Sequence, residues 1–119
     1  ILSRGVNEVS DCIFCKIVSG EIPSKRLYED DKIIVINDLN PGAPVHVLVI
    51  PKEHTENILT ASPDIVTYVK SKLPELVKML KLDEKGFRIV INTGEDGGQS
   101  VPHLHFHILG GKQLGWPPC

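Results

Sequence analysis

Between His103 and Leu109 the chain alternates strictly, with His103, His105 and His107 on one side and Leu104, Phe106 and Ile108 on the other. A period of two belongs to a half-buried strand. The pattern predicts a strand over His103 to Leu109 whose imidazoles form a row, side chains two apart standing about 6.6 Å from one another. Further strands are expected at Arg26 to Glu29, along the β-branched run Lys32 to Ile36, at Val45 to Ile50 with Pro51 as the stop, and at Phe87 to Ile91. Helical spacing appears in Val66, Val69, Leu73, Leu76, Val77 and Leu80, after the start signal Ser62-Pro63. Pro74 interrupts it, so the helix kinks there or a second short helix begins, and Gly86 closes the helical region. A short helix is predicted over Cys12 to Ser19, capped by Asp11 and ended by Gly20. Strands joined by turns such as Pro41-Gly42-Ala43-Pro44, with one long and one short helix, make an α+β domain on an antiparallel sheet of about five strands.

Composition narrows the function classes. A chain of 119 residues makes one domain, read as an arm over residues 1–10 followed by a folded unit over 11–119. The net charge of −2 provides no electrostatic footprint for duplex nucleic acid or a membrane surface. No apolar run approaches the roughly 20 residues of a membrane helix, and the N-terminus lacks signal-peptide architecture. Three cysteines do not make a disulfide framework, which points to a reducing compartment: the cytoplasm, with the nucleus also open.

Candidate chemistry gathers around the histidine row. An apolar-alternated ladder of imidazoles has no obvious packing purpose, whereas imidazole suits phosphorus chemistry near neutral pH and also binds metals. Upstream lies Gly94-Glu95-Asp96-Gly97-Gly98-Gln99-Ser100, a glycine-rich loop able to turn backbone N–H groups toward an anion. It contains no lysine or arginine, so backbone donors are expected to carry much of any phosphate contact. His46 falls on a neighbouring predicted strand, as a support for the row or a participant in it. Cys12-x-x-Cys15 is one half of a tetrahedral zinc site, or a pair of packed thiols.

His103-Leu104-His105-Phe106-His107-Ile108-Leu109 resembles the His-φ-His-φ-His-φ-φ motif of the histidine-triad (HIT) nucleotide hydrolases and transferases. The resemblance extends over Asp11 to Pro23, Asn37-Asp38 through Pro51-Lys52-Glu53-His54, and Gly94 to Gly111. Gly98-Gln99-Ser100 and the tail Trp116-Pro117-Pro118 are similar to the Hint branch, the purine nucleoside phosphoramidases. The resemblance implies a HIT-like fold and cleavage of the P–N bond of purine nucleoside 5′-phosphoramidates, and of acyl adenylates, through a nucleotidyl-histidine. His105 would be the nucleophile, with one ring nitrogen fixed by a backbone carbonyl near His103. His107 would serve as acid or phosphate donor, supported by His46, and Ser100 would sit beside the breaking bond. Asn92, Gly98, Gln99 and Ser100 would meet the phosphate and Asp38 the ribose, while Ile13, Phe14, Ile17, Ile22, Ile36 and Leu39 would sandwich the base. Some family members complete a structural zinc site with the counterparts of His54 and His103, alongside Cys12 and Cys15. The branch also implies a homodimer whose C-terminal tail reaches the partner's site. Hydrolysis of dinucleoside polyphosphates, nucleotidyl transfer, and nucleotide binding by a scaffold without turnover are the alternatives.

Overall fold

The computed structural model describes residues 12–118, so the expected arm over residues 1–10, the capping role of Asp11, and Cys119 lie outside the described residues. The elements run α1 (Ile13–Ser19), β1 (Arg26–Glu29), β2 (Ile33–Asn37), β3 (Val45–Pro51), α2 (Pro63–Met79), β4 (Phe87–Val90) and β5 (Phe106–Gly110). The strands form a five-stranded antiparallel sheet in the order β1-β2-β3-β5-β4. This is the α+β arrangement that the apolar pattern predicts.

Both faces of the sheet are covered, by different means. On one face Ile33, Val35, Val47, Val49, Phe106 and Ile108 pack against Val69, Leu76 and Val77 of α2. On the other, Ile34, Ile36, Leu48 and Ile50 pack under Cys12, Phe14 and Ile17, at and within α1. Burial on both faces explains why β2 and β3 read as continuous apolar runs instead of alternating. Asp30 ties the β1–β2 turn to α2: it accepts from the hydroxyls of Tyr28 and Tyr68 and from the N–H groups of Lys32 and Ile33.

Three boundaries depart from expectation, and the alternative left open at Pro74 is settled. The histidine strand joins the ladder only at Phe106, because two residues back the register sets Leu104 opposite Pro51, which has no N–H to donate. His103 and Leu104 are anchored otherwise: the Leu104 N–H bonds to Thr55 O, and the His103 ring to Pro51 O. The N-cap of α1 is Cys12, whose sulfur accepts from the Cys15 N–H, and Gly20 closes the helix with φ 86°. Pro74 sits inside a single helix, so no second helix begins there. That helix ends at Met79, well before Gly86, with Leu80 as cap and Lys81 in the left-handed region at φ 61°.

Candidate active site and metal centre

The five histidines of the chain fall into one line across the face that α1 covers. His54 and His103 meet edge to face at 4.9 Å between ring centroids. Phe14 turns its edge to His103 (5.8 Å) and to His105 (5.0 Å). His105 meets His107 at 5.1 Å, and His107 meets His46 at 5.1 Å. The last contact follows from register: Leu48 lies opposite His107 and Leu109 opposite His46, so the two histidines are diagonal neighbours on one face. Phe14 thus divides the line into two clusters.

In the first cluster each ring is oriented by what lies behind it. His105 Nδ1 lies 2.7 Å from the His103 carbonyl, an acceptor, so Nδ1 carries the proton and Nε2 keeps its lone pair. His105 is buried, at 5% exposure, so that lone pair is shielded from bulk solvent. His46 is backed by the opposite kind of group: the Gly42 N–H donates to its Nδ1 at 2.9 Å. Its proton is therefore on Nε2, which donates to His107 Nδ1 at 2.9 Å, and His107 in turn presents Nε2–H outward. The Asp38 carboxylate closes the group, its Oδ2 3.4 Å from His46 Nε2 and 3.9 Å from His107 Nδ1. Burial holds His107 below the ordinary histidine value, the adjacent His105 and His46 push the same way, and Asp38 opposes them.

Asp38, His46 and His107 place three ligand-type atoms close enough to suggest a metal. The Gly42 N–H argues otherwise. A ligating histidine turns its second nitrogen, protonated, toward an acceptor. His46 faces a donor there, so its Nε2 lone pair is not free.

In the second cluster His103 meets that requirement. Cys12, Cys15, His54 and His103 offer four ligand atoms within 4.8 Å of one another. Cys12 Sγ to His103 Nδ1 is 3.3 Å, Cys15 Sγ to His54 Nδ1 is 3.2 Å, and the two Nδ1 atoms are 3.1 Å apart. A tetrahedral site with ordinary Zn–N and Zn–S lengths has edges of about 3.3–3.8 Å, so the spacing fits with small adjustment. His103 donates Nε2–H to Pro51 O at 2.8 Å, which frees Nδ1 as a ligand. Burial first, then the hydrogen bond and charge of Cys12, push the Cys15 thiol up to about 12. Two thiolates side by side need a cation, and this donor set can hold a metal ion.

The remaining predicted residues divide. Phe14, Ile17 and Ile36 are buried in the core under α1, with Ile22 packed against it, whereas Ile13 is 46% exposed and Leu39 94% exposed. Phe14 also stands as the wedge between the histidine clusters. The glycine-rich loop is held by its own hydrogen bonds. The N–H groups of Gly98 and Gln99 bond to Glu95 O and Gly94 O, and Asn92 Nδ2 donates to Gly97 O. The Gln99 amide donates to Glu56 O and Val101 O and accepts from the Gly94 N–H. These donors of Asn92, Gly94, Gly98 and Gln99 close the loop on itself and onto Glu56. Ser100 stands exposed at its exit.

The family model for the HIT domain matches residues 19–114 of this chain. The chain belongs to the HIT family. Protein HitA of Neisseria gonorrhoeae is 44% identical over 105 residues, covering 86% of this chain and 97% of that one. A histidine triad protein from Clostridium difficile superposes with a TM-score of 0.84 at 49% identity, over 88% of this chain and 94% of that one. A HIT family hydrolase from Legionella pneumophila gives 0.83 at 41% identity, over 91% and 99%. A histidine triad nucleotide-binding protein from Candida albicans gives 0.78 at 38% identity, over 89% and 82%. The matched span of the HIT domain begins after Cys12 and Cys15, so the Cys2His2 group brings residues of that domain together with the segment preceding it. Two groups that orient this HIT site, the Gly42 N–H and the Pro51 carbonyl, escape sequence reading because backbone atoms leave no mark in a residue pattern.

Proposed function

We propose that this HIT protein hydrolyses purine nucleoside 5′-phosphoramidates in two steps. The observation that carries the reading is the 2.7 Å contact from His105 Nδ1 to the His103 carbonyl, which leaves Nε2 as the available nucleophile. His105 Nε2 attacks the α-phosphorus; the P–N bond breaks, its electron pair leaves with the nitrogen, and His107 Nε2–H protonates that nitrogen. Water then cleaves the nucleotidyl-histidine, giving its proton to His107 Nε2 and releasing the nucleoside monophosphate. Ser100 stands by the leaving group, and Asp38 accepts from the ribose hydroxyls. The Legionella relative described as a hydrolase and the Candida relative described as nucleotide-binding support the two halves of this reading.

Zinc is the metal that suits Cys12, Cys15, His54 and His103, a two-sulfur, two-nitrogen set. Four protein ligands leave no open position, so its contribution is to clamp α1 to the histidine segment. Reduced Cys12 and Cys15 suit a cytoplasmic setting. A homodimer through β4 completes the reading. This edge strand exposes Phe87 and Ile89 on the α2 face, while on the histidine face Arg88 holds Gly115 O at 2.9 Å and lies 6.0 Å from the exposed Trp116 ring. Sedimentation at micromolar concentration should show the dimer, and a monomer overturns that part.

The test is steady-state hydrolysis of adenosine 5′-phosphoramidate by the parent and by His105→Ala. AMP release by the parent alone supports the reading. Binding of AMP without turnover by either protein moves the function to nucleotide binding, and release of AMP only from a dinucleoside polyphosphate moves the substrate class.

A further inference from the structure

A histidine that protonates a leaving amine must begin as imidazolium, with protons on both nitrogens. His107 Nδ1 has no room for one in the arrangement above. It lies 2.9 Å from His46 Nε2, which already carries a proton because the Gly42 N–H occupies His46 Nδ1. Charging His107 therefore sets two N–H groups against each other. One acceptor stands within reach of both: Asp38 Oδ2, at 3.4 Å from His46 Nε2 and 3.9 Å from His107 Nδ1. The other carboxylate oxygen is held in place by the Asn40 N–H at 2.8 Å. All three side chains are largely shielded, at 9% exposure for His46, 17% for His107 and 20% for Asp38. The charged and titratable groups facing His107 are His105 on its own segment, His46 on β3, and Asp38 just after β2. Asp38 is the one anion among them.

We infer that Asp38 is a positioning residue for the acid: its Oδ2 takes the N–H displaced when His107 becomes imidazolium, so ribose recognition and leaving-group protonation share one carboxylate. This inference deepens the phosphoramidase reading and rests on it for its catalytic meaning. A carboxylate has about four lone-pair sites. Asn40 uses one and the histidine pair another, and ribose hydroxyls can use the rest. During the second step His107 holds its remaining proton on Nδ1, toward Asp38, and Nε2 is free to accept the proton of the attacking water.

The consequence differs from that of a plain ribose clamp. A clamp acts through substrate affinity. A carboxylate that stabilises the charged acid raises the protonation midpoint of His107 in the ligand-free protein and raises kcat above that midpoint.

The experiment is an NMR titration of the His107 ring in the ligand-free full chain, comparing the parent with Asp38→Asn and Asp38→Glu. Asn is nearly isosteric but uncharged, and its amide can present a hydrogen to the pair in place of an acceptor. The expected result is a fall in the His107 midpoint of about one pH unit in Asp38→Asn and recovery of most of it in Asp38→Glu. With adenosine 5′-phosphoramidate, kcat of Asp38→Asn should fall about tenfold above the midpoint, the factor carried by one pH unit, with KM rising separately. An unchanged His107 midpoint in folded Asp38→Asn overturns the inference, as does a change in KM alone. Should Asp38→Asn fail to fold, the parent itself decides. Ring nitrogen shifts through the titration should show His107 Nδ1–H forming a hydrogen bond to a carboxylate, and a solvent-exposed Nδ1–H overturns the inference. The titration needs no turnover, so a parent that cleaves no phosphoramidate refutes the proposed function while the Asp38 coupling is still read directly.

Discussion

The two histidine clusters lie side by side on one sheet face, divided by the Phe14 ring, yet their backbone surroundings are opposite. In the Cys12, Cys15, His54 and His103 group, the reverse side of the His103 ring meets a carbonyl, Pro51 O. In the Asp38, His46 and His107 group, the reverse side of the His46 ring meets a donor, the Gly42 N–H. An acceptor behind the ring frees the inward nitrogen for a metal, whereas a donor behind it puts the proton inward and starts a hydrogen-bond chain that ends at His107 Nε2–H. Similar side chains are thus sorted into a group that can hold a metal ion and a group that can hand on a proton by two backbone atoms. His103 belongs to both: its ring stands in the Cys2His2 group, and its carbonyl fixes the tautomer of His105.

The largest effect expected on one side of this division is that of His105→Ala. Turnover of adenosine 5′-phosphoramidate should fall at least about 10⁴-fold, while metal content by elemental analysis stays unchanged; metal loss alongside would merge the two clusters. On the other side, Cys12→Ser with Cys15→Ser should abolish metal binding and cost about 2–4 kcal/mol by linkage, seen as a fall in Tm of about 10 °C or more. The kcat of the surviving folded protein should stay within tenfold, and a complete loss of kcat in a folded protein would contradict a purely structural metal. His46→Ala should lower kcat by about 10–100-fold through misoriented His107. His46→Gln, whose amide can accept from Gly42 and donate to His107, should recover part of that. Equal defects in the two variants would show that the tautomer chain does not matter. The smallest effect concerns pH. Burial and the neighbouring imidazoles lower the His107 value below its usual 6.5, and the acid must be protonated to act. The kcat for a substrate with a basic leaving amine should therefore decline as pH rises through that range, by at most about tenfold per unit. A rate that climbs with pH there would assign His107 a different role.

Much of this was legible in the chain. Alternation at His103 to Leu109 and the β-branched runs identify the sheet, and Ser62-Pro63 marks the start of α2. The spacing of Cys12 and Cys15 marks half a metal site, and the resemblance supplies His54 and His103, which the structure brings together. What was not legible depends on tertiary contacts. That the strand starts at Phe106 instead of His103 depends on which residue of another strand stands opposite, and that residue is Pro51. The glycine-rich loop looked like a phosphate cradle because its composition permits one, but here Gln99 accepts the Gly94 N–H, and the Asn92 and Gln99 amides donate to Gly97 O and Glu56 O. Phe14 and Leu39 looked alike as apolar candidates for the base, and only packing separates a buried wedge from a side chain 94% exposed.

The most direct test of the sorting of the two clusters is a long-range proton–nitrogen NMR spectrum of the histidine rings in the metal-loaded protein near pH 7.5. It should show Nδ1–H on His105 and Nε2–H on His46, His107 and His103, with the metal-bound nitrogen of His103 being Nδ1. A His46 ring protonated at Nδ1, or a metal-shifted nitrogen on His46 or His107, would contradict it.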